Sequence, residues 1–111
     1  VICVGKEEAW SLIKEMIEQV GQAHAKYGLE FFHIGSDEVF QVGVCNETVA
    51  EMRKHENLRE RLMMWHIART AKYTKDKFNT TVLAWHDMLV HATSADLVTY
   101  KLPQLIEPVL W

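Results

Sequence analysis

The sequence holds only two prolines and five glycines, which excludes collagen-like and low-complexity chains, since both are rich in those residues. Cysteine is scarce as well. Cys3 and Cys45 are too few for a disulfide framework and too far apart for the closely spaced ligands of a zinc site. Two free thiols in a reducing compartment are therefore expected. There is no basic excess: a net charge of −3 and a pI near 6.1 give no broad attraction to nucleic acid or to an acidic membrane. No apolar run approaches the roughly 20 residues of a membrane-spanning helix, and no charged-then-apolar leader precedes Val1. The chain opens without methionine and stops after an apolar run, so both ends are expected to be cut. Asn46-Glu47-Thr48 and Asn79-Thr80-Thr81 fit the glycosylation triplet, which arises by chance too often to decide anything.

What the 111 residues do have is 49% apolar and 24% charged content, the balance of one folded domain. Glu7 and Glu8 place negative charge where a helix would begin. Ala9, Ile13, Met16, Val20, Ala23, His24 and Tyr27 then recur at helical spacing, predicting one buried stripe closed by Gly28 as a left-handed cap. Glu30 to Ile34 reads as a buried strand bounded by Gly35. From Val49 to about Lys77 the period is helical again, with Leu58, Leu62, Trp65, Ile67 and Tyr73 and no proline or glycine to interrupt it. Thr81 to Trp85 is a second strand, Ser94 to Ile106 a helical stretch interrupted by Pro103, and Glu107 to Trp111 the start of a third strand.

That alternation describes a parallel sheet covered by helices. No glycine-rich phosphate loop follows either complete strand, which disfavours a nucleotide-binding open sheet and favours a barrel. A complete eight-stranded (β/α)8 TIM barrel takes about 250 residues. The expected fold class is thus α/β, a partial barrel of about three strands, with residues 1–111 a fragment of a single domain.

In such folds the reactive groups gather at the carboxyl ends of the strands. Both complete strands finish there in acids: Asp37-Glu38 after the first and Asp87 after the second. An adjacent Asp-Glu pair is more often a solvated loop than a catalytic one. On a regular strand His33, Gly35 and Asp37 would share a face and Glu38 would turn away. Gly35 lets the backbone bend, so that both acids can approach one ligand.

His33-Ile34-Gly35-Ser36-Asp37-Glu38-Val39 resembles the His-x-Gly-Gly-Asp-Glu-Val motif of the family 20 β-N-acetylhexosaminidases. Trp85-His86-Asp87 resembles the family's Trp-x-Glu/Asp strand end, and Pro108-Val109-Leu110-Trp111 the next strand, which closes on a second tryptophan. The likeness covers almost the whole chain. Ser36 departs from the pattern where most members have glycine; with the Trp-His-Asp-Met-Leu run it makes the chain most similar to the hexosaminidase D branch.

The resemblance implies a retaining exo-glycosidase in which the substrate's own 2-acetamido oxygen attacks the anomeric carbon. Glu38 would be the general acid and later the general base. Asp37 would stay charged, hold the acetamido N–H and stabilise the oxazolinium-like intermediate. Trp85 and Trp111 would wall the acetamido methyl, although a tryptophan in an apolar strand is ordinarily core packing. His33 would orient Asp37 or a loop backbone, an ordinary core histidine being the other reading, and Asp87 would support the site. No cofactor is implied. The partner would be an oligosaccharide or glycoconjugate ending in N-acetylhexosamine, with neither nucleic acid nor membrane involved; the D branch favours galactosamine and a cytoplasmic or nuclear home.

Trp10 and Trp65 match nothing in the motifs and read as helix-face packing. His24, His55, His66 and His91 fall on predicted helices, and the run from Arg53 to Arg61 reads as a charged outer face. Two rivals remain. His33, Asp37, His86 and Asp87 offer ligands for a metal-dependent barrel hydrolase. The other rival is an inactive piece that keeps the acids but lacks the strands to close the barrel; exposing its sheet edges and apolar faces, it is expected to aggregate or to need its parent chain.

Overall fold

A computed structural model describes residues 2–111. The elements run α1 (Glu7–Ala25), β1 (Phe31–His33), α2 (Asn46–Met52), α3 (Arg59–Phe78), β2 (Thr81–Trp85), α4 (Ser94–Thr99), α5 (Leu102–Leu105) and β3 (Glu107–Val109).

Helix α1 begins on Glu7 and Glu8, as the helix dipole favours. Its buried stripe is Ile13, Ile17 and Gly21, not the expected line through Met16 and Val20, which are 59% and 45% exposed. Ala23, His24 and Tyr27 face solvent too. Gly21 supplies the reason: the Phe78 ring lies where any Cβ on Gly21 would stand, so α1 approaches α3 along that line. The same interface holds the Arg69 guanidinium 4.0 Å from the Trp10 ring centre and 4.4 Å from that of Trp65, a cation between two aromatic faces. The Tyr73 hydroxyl donates to the Glu18 carboxylate beside it. Gly28 adopts the anticipated left-handed backbone, φ +82°, but in the turn beyond the end of α1 at Ala25.

The stretch from Val49 to Lys77 is two helices rather than one. A 3-10 turn at Arg53–His55 ends α2, and Glu56 and Asn57 follow with φ of +55° and +59°. The Asn57 N–H caps the corner on the Met52 carbonyl at 3.0 Å, while Arg61 pairs with Glu56 and with Asp96. The charged run is therefore a corner held by ion pairs. In the later stretch the break falls at Lys101, φ +57°. Pro103 sits in the first turn of α5, where its missing N–H costs no hydrogen bond.

The three strands form one parallel sheet in the order β1-β2-β3, pairing Phe31 with Thr81, His33 with Leu83, Leu83 with Glu107 and Trp85 with Val109. Strand order follows chain order, with no reversal of the kind that marks an open doubly wound sheet. Val82 and Ala84 turn one face of β2 into the core of α3, among Leu62, Met64, Ile67 and Ala71. The opposite face is open. Phe31 is 52% exposed and His33 is exposed, so β1 is not the fully buried strand that its apolar run suggested: helices cover only one side of it.

Cys3 and Cys45 form a disulfide with their Cα atoms 6.1 Å apart, which corrects the expectation of free thiols. The segment between β1 and α2 folds back onto the start of the chain, where the buried Thr48 hydroxyl donates to the Val4 carbonyl at 2.7 Å. Tertiary folding, invisible in a separation of 42 residues, makes the pair. Closing a ring of that size removes about 4 kcal/mol of unfolded-chain entropy. Among the described residues no helix is long and apolar enough to cross a membrane.

Candidate active site

The carboxyl edge of the sheet carries one aromatic ring from each strand's end. His33 lies 4.7 Å from Trp85, and Trp85 lies 5.3 Å from Trp111, between ring centres. They step diagonally across one face of the sheet: His33 pairs with Leu83, two residues short of Trp85, and Trp85 with Val109, two short of Trp111, and residues two apart on a strand face the same side. The His33 Nδ1 accepts the Gly35 N–H at 3.0 Å, so its ring proton resides on Nε2. His33 thus bonds to the backbone of the loop that follows it.

Beyond His33 the chain leaves the sheet in an unusual turn. Gly35, Ser36 and Glu38 have φ of +75°, +76° and +45°, left-handed values that residues with a Cβ resist. The Trp85 N–H, donating to the Gly35 carbonyl at 3.0 Å, ties the turn to β2. This geometry leaves the Asp37 and Glu38 side chains both exposed on the rim.

Glu38 is fixed from across the sheet. Its backbone N–H donates to the Asp87 Oδ2 at 2.9 Å, and the next N–H, from Val39, reaches the Met88 sulfur at 3.3 Å. Asp87 opens a 3-10 turn, Asp87–Leu89, directly after β2. Its other oxygen, like His86 Nδ1, is out of contact with solvent and has no partner among the described residues.

Beside Glu38 a cavity of about 660 Å³ opens under the loop that follows β1, bordered by Ile34, Val39, Val42, Met63 and His66. His33, Asp37, Trp85 and Trp111 do not border it. Burial, helped by the nearby Arg69 charge, pushes the His66 imidazole down to about 4, so it is neutral near physiological pH.

The sheet therefore brings His33, Trp85 and Trp111 together in one row and joins Asp87 to Glu38 through a backbone bond. Asp37 shares the turn but not the cavity, and its side chain makes no bond among the described residues. His33, Asp37, His86 and Asp87, the ligands a metal centre would need, do not cluster. Among the described residues Cys3, Cys45 and Glu47 alone lie close enough together, and their two sulfurs are spent on the disulfide. Sequence reading missed Met88 and His66. The run Trp-His-Asp-Met-Leu held the signal for the first; nothing in a helical histidine marks the second.

Comparison with known proteins places this geometry in context. Residues 1–106 match the catalytic domain of glycosyl hydrolase family 20. The chain is 35% identical over 107 residues to hexosaminidase D of Bos taurus, covering 96% of this chain and 30% of that protein. It is 33% identical over 105 residues to hexosaminidase D of Homo sapiens, covering 94% and 21% respectively. The chain spans less than a third of the length of either relative.

Proposed function

Since the chain belongs to glycosyl hydrolase family 20, we propose that it is a piece of the catalytic (β/α)8 barrel of a retaining exo-β-N-acetylhexosaminidase. The observation that carries this reading is the pair Asp37-Glu38, set on a left-handed turn at the sheet's carboxyl edge beside the row His33, Trp85 and Trp111. Glu38 protonates the leaving oxygen and then takes a proton from water. Asp37 holds the acetamido N–H and braces the positive charge that develops as the acetamido oxygen attacks the anomeric carbon. Trp85 and Trp111 exclude water from the acetamido methyl. The monotonic parallel strand order and the single layer of helices support the barrel.

The substrate class is an oligosaccharide or glycoconjugate with a terminal β-linked N-acetylgalactosamine or N-acetylglucosamine, in keeping with the names of the two relatives. The cytoplasmic or nuclear location belongs to this proposal and rests on the D-branch likeness alone. Disulfides persist in oxidising compartments and are kept reduced in the cytoplasm and nucleus, so in that location the Cys3–Cys45 bridge would be transient, and imaging of the tagged full-length protein tests the assignment.

The experiment uses the full-length protein and three chromogenic β-glycosides, two carrying the 2-acetamido group and one plain glucoside. Only the acetamido sugars should be cleaved; equal turnover of the glucoside rules out acetamido participation. Glu38→Gln should lower kcat by about 10²–10⁴-fold. Asp37→Asn should lower kcat and also weaken a thiazoline mimic of the intermediate.

A further inference from the structure

The clasp between the two rim loops has a use in the reaction that follows from its position. Resting on the assignment of Glu38 as the general acid, we propose that Asp87 is the positioning residue for Glu38, acting through the Glu38 backbone rather than on the sugar.

Three observations carry this. Glu38 holds a left-handed backbone, φ +45°, which a residue with a Cβ keeps only when its surroundings impose it. The imposed contact is a charge-assisted bond from the Glu38 N–H to the Asp87 carboxylate at 2.9 Å, stronger than a bond between neutral groups. It is reinforced one residue on, where the Val39 N–H meets Met88. Two successive N–H groups after β1 are thus held by two successive side chains after β2, although 49 residues separate the partners in the chain.

Among the described residues the second carboxylate oxygen of Asp87 has no partner and is shut off from solvent, so that end of the half-buried side chain lies between the loops. Asp87 was read from the sequence as supporting the site, and its bond to the Glu38 N–H gives that support a definite target. A general acid works only when its proton lies within hydrogen-bond reach of the leaving oxygen. A Glu38 freed from its clasp keeps its chemistry and loses its aim.

The test is the dependence on leaving group, measured in the full-length protein. A dinitrophenyl N-acetylhexosaminide departs without protonation, whereas a methylumbelliferyl or alkyl one does not. Asp87→Ala should lower kcat on the poor leaving groups by about 100-fold and on the dinitrophenyl substrate by less than about threefold, with KM little changed. Asp87→Leu, similar in outline but without an acceptor, should behave alike and serves if the alanine variant does not fold. Asp87→Asn keeps an oxygen for the Glu38 N–H and should recover most of the loss. Equal losses on both kinds of substrate, no loss on the poor one, or an asparagine variant as impaired as alanine would each overturn the proposal. Glu38→Gln, run alongside, must show the same leaving-group dependence. If it does not, the general-acid assignment itself fails, a result separable from failure of the Asp87 proposal alone.

Discussion

Ser36 holds a backbone that its own Cβ opposes, with φ at +76°, at the position where the family motif it resembles has glycine. A left-handed conformation costs a residue with a Cβ roughly 1–2 kcal/mol, and glycine's extra freedom in the unfolded chain returns only part of that. Ser36→Gly should therefore stabilise the protein by about 0.5–1 kcal/mol, read as a higher urea midpoint at unchanged m-value. A lower midpoint would mean that the hydroxyl holds the turn. His66 offers a second reading at this scale. Its folded pKa, pushed down to about 4, lies below the unfolded value of about 6.5. Its contribution is complete above about pH 6.5 and is lost as pH falls toward 4, because only the unfolded chain takes up the proton; the loss is at most about 3 kcal/mol. Urea unfolding at pH 7.5 and pH 4.5 should show His66→Gln to be less pH-dependent than the parent, and equal slopes would reject the idea. Residues at strand ends were legible in the sequence because an acid after an apolar run announces the rim. His66 and Met88 were not, since their roles depend on which helix face and which loop they meet.

Between elements, the contact of α1 with α3 turns on one missing side chain. Any Cβ at Gly21 would collide with the Phe78 ring, itself stacked on Phe32 at 6.3 Å. Gly21→Ala should thus lower stability by about 1–3 kcal/mol, and Phe78→Leu in the same chain should return part of it; thermal unfolding of the two single variants and the double measures this. Strand β2 was read from its sequence to the residue and β3 nearly so, because β-branched and apolar residues between turn signals admit little else. The phase of α1 was not, since hydrophobic spacing supports two adjacent stripes and only the docking of Phe78 on Gly21 chooses between them. The corner at Glu56 and Asn57 was also hidden: neither proline nor glycine marks it, and the ion pairs of Arg61 with Glu56 and Asp96 sustain it.

At the scale of the molecule, a sheet of three parallel strands carries helices on one face and leaves the other open. Parallel sheets are covered on both faces in stable proteins, and Phe31 and Trp111, 52% and 65% exposed, show what remains uncovered here. The isolated 111-residue segment should therefore associate, and light scattering should find particles larger than one chain. A monomer that unfolds cooperatively would contradict this. The alternation of helix and strand was plain from periodicity, whereas the joining of Cys3 to Cys45 was not.

That joining makes residues 3 to 45 a closed covalent circle containing α1, β1, Asp37 and Glu38. A protease cutting once anywhere inside it leaves the two pieces travelling together on a gel until a reducing agent separates them. The same reagent, given to the uncut protein, would untie the far end of the loop that bears Asp37 and Glu38 while the strand ladders stay closed.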